Sequence, residues 1–412
     1  MTSPVAVHRP GFLADGVAGW CIAALFMFGL YVPSSFAGVY SIPLWSGILS
    51  FVAATALVVS FRRNGIGSLY CLVNSLLLIA AILAASVISP FPDYRWGGLL
   101  PFAVLALIYI LNVKDFSGGA RLRTAMTVAN LVNLVVGAGV IFHNASVDNF
   151  LVTHYTSFYP ELVSSMTELG KPVLTFGSHS IAAFFFYLLF LLNLETFAVT
   201  RRSTYLIFSL GYVVLGFALF SVTAVVLMSV ALIQLVVFLA RENWRRFSVI
   251  ALIAAAAAVF LGKQYFTQFE STSDAVILAE QAATTSDVNG FSGRFSEFGT
   301  LFTTVQYIRA EPFSPVGVGY RSDLFFGDCG PVEYYLRGSV VLVCCMYGGL
   351  FFFLRRNLIF KRHFVLLFLI IMAFELGFSS LTYVRLLVLL PIIVIYLNDL
   401  AREARPPLHG TI

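Results

Sequence analysis

Apolar runs separated by short polar breaks recur along almost the whole chain. A helix that crosses a bilayer needs about 20 mostly apolar residues. Runs of that kind cover 16–34, 42–60, 67–89, 98–113, 124–142, 179–199, 203–219, 222–240, 247–263, 337–354, 363–379 and 381–398. The stretch from Ser203 to Ala240 is too long for one crossing and holds no charge, so it divides near Phe220–Thr223, where Ser221 and Thr223 interrupt it. The pattern predicts an all-α integral membrane protein with about twelve transmembrane helices, forming one polytopic membrane domain over residues 1–412.

Composition agrees. Of 412 residues, 59% are hydrophobic and only 11% charged, and mean hydropathy is +0.90. Soluble domains carry roughly 25% charged residues; a chain this poor in charge could not cover a water-facing surface. The 41 Phe suit a surface that meets lipid. Residues 1–15 are polar, and no small-residue cleavage site follows the first apolar run, so that run is expected to be an uncleaved span.

The net charge of +5 is not a nucleic-acid signal, because the basic residues sit in clusters between apolar runs. Such clusters follow every even-numbered run: Arg62–Arg63, Lys114 to Arg123, Arg201–Arg202, Arg241 to Arg246, Arg355 to Arg362, and Arg402 with Arg405. With Arg9 they hold 17 of the 25 Lys and Arg. The positive-inside rule puts that side and both termini in the cytoplasm. Two long loops, 143–178 and 264–336, then face outward. They hold most of the acidic residues, Glu297, Asp323, Asp328 and Glu333 among them. Loops of this length are usually functional. Each contains a helical stripe, Phe158 to Leu169 and Phe295 to Val305, expected to form short interfacial helices. Cys21, Cys71, Cys344 and Cys345 lie inside apolar runs and Cys329 in a loop, which is no disulfide framework.

No P-loop, HExxH or CxxC pair is present. The Gly317–Val318–Gly319 segment reads either as a tight turn or as backbone that approaches a ligand. The exported arginines Arg294, Arg309, Arg321 and Arg337, with Arg385 near the outer end of the last run, run against the charge bias. They pair with loop carboxylates or form an anion site, and the planar guanidinium suits phosphate oxygens. On one continuous helix Arg294 and Arg309 stand roughly 22 Å apart, too far to grip one pyrophosphate together unless the helix breaks. Asp328 reads as a helix cap or a general base. Asp323, Asp328 and Glu333 form no DxD pair, so no metal is expected. His179 opens the sixth run after Ser178, as an interfacial residue beside a cap or as a substrate contact, with Lys171 upstream. Glu375 lies within the eleventh run, where an ionisable group is functional by default, with Arg385 or water as its expected partners.

These residues resemble bacterial polysaccharide polymerases of the O-antigen polymerase (Wzy) and O-antigen ligase superfamily. The resemblance is carried by Phe291–Ser292–Gly293–Arg294, by Ser314–Pro315–Val316–Gly317–Val318–Gly319–Tyr320, by Asp328–Cys329–Gly330 with Gly338, and by Lys171–Pro172 with Phe176–Gly177–Ser178–His179–Ser180. These stretches span about 70 residues; the remainder agrees in topology. Ligases often carry a His-Asn pair where this chain has Asp328–Cys329–Gly330, which favours a polymerase. A Ser-Arg pair common before the eighth span is absent at Ser221–Val222–Thr223.

The resemblance implies a glycosyltransferase at the periplasmic face of the bacterial inner membrane, with 143–178 and 264–336 as periplasmic loops. It would join oligosaccharide repeat units carried on undecaprenyl pyrophosphate into O-antigen or exopolysaccharide, with no cofactor and with a chain-length regulator as a further partner. The residues expected to serve it are Arg294, Asp328 and His179 in catalysis, and Arg309, Arg321, Lys171, Tyr320, Glu297 and Arg385 in substrate binding. The competing readings are an O-antigen ligase and a lipid-linked oligosaccharide flippase. A transporter usually shows internal repeats and a midplane site, and no repeat is found.

Overall fold

A computed structural model describes residues 12–31, 47, 51–52, 54, 69–88, 99–155, 167–242, 316–319 and 329–404. Among them every regular element is helical. The α-helices are α1 (Phe12–Tyr31), α2 (Leu69–Ile88), α3 (Leu100–Ile110), α4 (Gly119–Ile141), α5 (Ala145–Tyr155), α6 (His179–Thr200), α7 (Ser203–Phe217), α8 (Val222–Glu242), α9 (Gly330–Asn357), α10 (Lys361–Glu375) and α11 (Val384–Glu403). Short 3₁₀ turns at Leu174–Phe176 and Ser380–Thr382 precede α6 and α11. Six described helices are long and apolar enough to cross a membrane. The apolar runs 42–60 and 247–263, the stripes at 158–166 and 295–305, and the candidates Arg294, Glu297, Arg309, Tyr320, Arg321 and Asp328 lie outside the described residues.

α6 and α11 form the enclosed centre: 89% of their most apolar stretch is buried, against 33% in α2 and α8. The two outer helices expose whole apolar faces, such as Leu69, Val73, Leu76 and Leu83 on α2 and Val226, Val230 and Ile233 on α8. Hydrocarbon can solvate such faces and water cannot, while every helix satisfies its own backbone. Close helix approaches fall at glycines. A Cβ on Gly137 would sit 2.5 Å from Leu215, and one on Gly216 would sit 2.2 Å from Met228. Small residues let membrane helices gain dispersion contacts in this way.

The division within Ser203–Ala240 lies where the polar break sits. α7 stops at Phe217, Phe220 takes a positive φ of 46°, and Ser221 Oγ accepts the Ala224 N–H at 3.2 Å as a cap for α8.

Helix ends gather at two opposite ends of the bundle. At one, short connections are stitched to neighbours. Asp399 Oδ2 accepts the Gly118 and Gly119 N–H groups at 2.9 and 3.0 Å and so caps α4 from α11. Arg402 binds Asp399 and the Phe116 and Lys114 carbonyls, and Asn357 Oδ1 accepts the Val113 N–H at 2.7 Å. This Arg402 end carries Lys114, Arg121, Arg123, Arg201, Arg202, Arg355, Arg356, Lys361, Arg362 and Arg402. The opposite, Arg385 end holds Lys171, Arg337 and Arg385 among the described basic residues. α1 and α2 run in the same direction. Leu30 meets Arg385 and Ser86 meets Gly319, while Gly19 lies against Gly118. α8 and α9 also run alike, both away from the Arg385 end.

Between the ends runs a polar chain that the hydropathy pattern did not disclose. Asn130 of α4 and Asn193 of α6 exchange amide hydrogen bonds at 2.7 and 3.0 Å. The Tyr212 hydroxyl donates to Asn130 Oδ1 at 3.0 Å and accepts from Asn133 at 3.1 Å, and the Tyr31 hydroxyl lies 3.0 Å from Asn133 Oδ1. All of these except Tyr31 are fully enclosed, so each polar atom must be met inside the bundle. Asn130→Leu is expected to lower stability by about 1–2 kcal/mol, and Asn130→Leu with Asn193→Leu by less than the two single changes together. Thermal unfolding in detergent reads both.

Candidate functional site at the Arg385 end

Three chain segments lie at this end of the bundle. The first runs through Lys171, the 3₁₀ turn and His179. Gly177 takes φ 71° and Ser178 is extended, which turns the chain into α6. Ser178 stands at the N-cap position, but its side chain makes no capping bond, so the cap expected of it is not formed; its carbonyl accepts the Ala182 N–H at 2.9 Å as the first bond of the helix. His179 is half-buried at the first helical position. Lys171 is also half-buried, and loss of hydration lowers the pKa of its ammonium group.

The second segment is the start of α9. The helix begins at Gly330, seven residues before the apolar run does. Pro331 in its first turn and Glu333 near its N-terminus are start signals that hydropathy overlooks. Glu333 and Arg337, expected in or beside the loop, are therefore helical. They pair at 2.9 Å with both side chains almost wholly buried. Just beyond, α9 breaks: Gly338 and Ser339 leave helical geometry, and Ser339 has φ 61° and ψ −168°. That region is essentially glycine's own, and a residue with a side chain held there costs about 1–3 kcal/mol.

The break explains the Gly317–Val318–Gly319 segment. It frees the Leu336 and Arg337 carbonyls from the helix, and these accept the Val318 and Gly319 N–H groups at 2.7 and 3.0 Å. Both glycines have positive φ, 83° and 66°. A Cβ on Gly317 would lie 2.6 Å from Gly338 N, and one on Gly319 would lie 2.6 Å from Ser86 Cα. The glycines are thus required by backbone conformation and by close approach together, and the backbone approached belongs to α9 and α2.

The third segment carries Arg385, near the N-terminus of α11 and 4% exposed. Its guanidinium donates to the Leu30 carbonyl at 2.5 Å, to Thr175 Oγ at 3.1 Å and to the Thr175 carbonyl at 2.5 Å, and it stacks over Phe176 at 5.4 Å. It thereby closes the end of α1 and holds the turn that leads to His179.

Glu375 ends α10, fully buried. Its partners differ from those expected. Oε1 accepts from Ser380 Oγ at 2.6 Å, Leu381 N–H at 2.7 Å and the Tyr334 hydroxyl at 3.5 Å; Oε2 accepts from the Tyr347 hydroxyl at 3.1 Å. Arg385 is not among these partners.

The described candidates His179, Lys171 and Arg385 thus come to one end, beside residues that sequence reasoning treated as loop or left unassigned: Thr175, Glu333, Tyr334 and Tyr347. No family model, curated protein or solved structure matches this chain. No cluster of metal-binding side chains occurs among the described residues. The five cysteines form no disulfide, and Cys329 is buried at the head of α9.

Proposed function

We propose that this chain is a membrane glycosyltransferase that polymerises oligosaccharide repeat units carried on undecaprenyl pyrophosphate. The observation that carries the reading is convergence. The Lys171–His179 segment, the Gly317–Gly319 turn and the Cys329–Gly330 helix start, which carry the family-like motifs, lie at the same end of an apolar bundle as Arg385. Among the described residues that end holds three basic residues, the buried Arg337 and Arg385 and the half-buried Lys171.

The arrangement suits transfer from a lipid pyrophosphate. Cationic side chains stabilise the charge that grows on the leaving group, and a carboxylate or imidazole receives the proton of the attacking sugar hydroxyl. In this reading Arg294, Arg309 and Arg321 meet phosphate, and Asp328 or His179 serves the acceptor. Lys171, Tyr320, Glu297 and Arg385 shape the substrate's surroundings. The activated lipid linkage drives the reaction, so no nucleotide is needed.

The twelve-span topology belongs to the same proposal. The parallel pairs α1/α2 and α8/α9 each call for one crossing in the intervening chain, and 42–60 and 247–263 are the apolar runs available. The positive-inside rule then directs the Arg402 end and both termini to the cytoplasm of a bacterial inner membrane, and the Arg385 end to the periplasm.

Reconstitution with a lipid-linked repeat unit tests the activity. Chain lengthening without nucleotide is the expected result. Transfer to a lipid A core would make the chain a ligase, and transbilayer movement without new bonds a flippase. Because burial lowers the Lys171 pKa, its charge is lost at lower pH than that of a free lysine. If that charge serves the donor phosphate, chain lengthening declines on the alkaline side, and Lys171→Arg moves the decline to higher pH. A pH–rate profile of the two proteins measures this.

A further inference from the structure

We propose that Glu375 is a positioning residue whose carboxylate locks the start of α9 to the turn that leads into α11. Nothing in the proposed chemistry uses this group, yet it is 0% exposed and gathers four donors from two elements outside its own helix. Ser380 and the Leu381 N–H come from the 3₁₀ turn, and Tyr334 and Tyr347 come from α9.

Gly330 completes the lock. A Cβ at this position would lie 1.8 Å from Glu375 Oε2, 2.9 Å from its Cδ and 3.2 Å from the Tyr347 hydroxyl. The carboxylate is held by hydrogen bonds on both oxygens, so it cannot swing aside without stranding buried donors. Only glycine lets the first residue of α9 close on it. An apolar side chain at 375 could fill the volume but would leave two tyrosine hydroxyls, a serine hydroxyl and a backbone N–H without acceptors.

The lock reaches the whole end of the bundle. The turn it sets is followed at once by α11 and Arg385, which holds the Thr175 turn ahead of His179. On its other side it fixes Gly330, and with it the buried Cys329. That these segments meet substrate rests on the polymerase reading; the lock itself does not.

The test uses the full-length protein in detergent and in vesicles. In Glu375→Ala, a water-soluble maleimide is expected to modify Cys329 about tenfold faster than in the unaltered protein, read at the Cys329 peptide by mass spectrometry. Chain lengthening should lose about 10- to 100-fold in kcat with KM for the lipid-linked donor changed little, because displaced groups slow the chemical step more than binding. Glu375→Gln keeps the shape and one accepting oxygen and is expected to fall between; it serves the same test should the alanine variant fail to insert. Gly330→Ala should reproduce both effects, and Gly330→Ala combined with Glu375→Ala should be no worse than Glu375→Ala alone, since the clash is gone. Unchanged Cys329 labelling in both Glu375 variants, or full additivity of the double variant, overturns the lock. Faster labelling with unaltered kcat overturns its positioning role. Should the unaltered protein lengthen nothing, the polymerase reading fails, and labelling with the double variant still decides the lock.

Discussion

Arg385→Ala is expected to destabilise the protein by about 3–4 kcal/mol, the largest stability loss of any single change at this end of the bundle. The side chain is almost wholly enclosed and binds the last turn of α1, the Thr175 hydroxyl and the Thr175 carbonyl at once. Alanine leaves two carbonyls in a dry site without these donors and removes the cation from the face of Phe176. Lysine should recover less than half of the loss, because an ammonium group cannot reproduce a planar fork that reaches two elements while it sits over a ring. Thermal unfolding in detergent measures both variants. The same experiment separates two roles for this residue. A bracing role predicts a large loss of stability in the absence of substrate, whereas a purely substrate-binding role predicts none.

The largest effect on activity is expected at Arg294 and Arg309. Replacing either by alanine should reduce chain lengthening by about 10²–10³-fold, the usual consequence of removing one preorganised donor from a developing negative charge. The protein should still insert and unfold at an unchanged temperature. Both residues lie outside the described residues; the charge pattern carries the prediction, because the proposed topology puts these guanidinium groups, among acidic residues, on the side that the positive-inside rule disfavours. The roughly 22 Å that a continuous helix would put between them implies separate tasks. A substrate-dependent difference between the two variants, seen in donor KM for one and in polymer length for the other, would be the signature of that division.

The helical framework was legible from hydropathy because a lipid-facing or fully enclosed helix is apolar along most of its length. The division at Ser221 was legible because one hydroxyl must replace the backbone partner that the new helix lacks. The start of α9 was less so: Glu333 and Arg337 look like loop charges until the helix brings them four residues apart on one face, where each neutralises the other. The glycines at 317 and 319 announced a tight turn or backbone that approaches a ligand; the turn is present, and the backbone it lies against is that of α9 and α2. What the turn approaches, the broken backbone of α9, depends on Gly338 and Ser339 leaving the helix, and no local preference predicts a serine at φ 61°.

The partners of Glu375 were beyond reach for another reason. Tyr334 and Tyr347 stand 41 and 28 residues away in the chain, the first in a stretch that reads as loop and the second in an apolar run, and neither carries a sign of what its hydroxyl will meet. The Asn130–Asn193 pair is similar, although Asn130 and Asn133, three apart in an apolar run, do mark a polar stripe on one helix face.

The proposed chemistry requires the Arg385 end to face away from the cytoplasm. Asn144 is exposed at that end and Arg201 at the other. In intact cells a membrane-impermeant maleimide should label Asn144→Cys above the background of the native cysteines, and should label Arg201→Cys only after the membrane is opened. The reverse pattern would put the buried arginines and His179 on the cytoplasmic side and contradict the account.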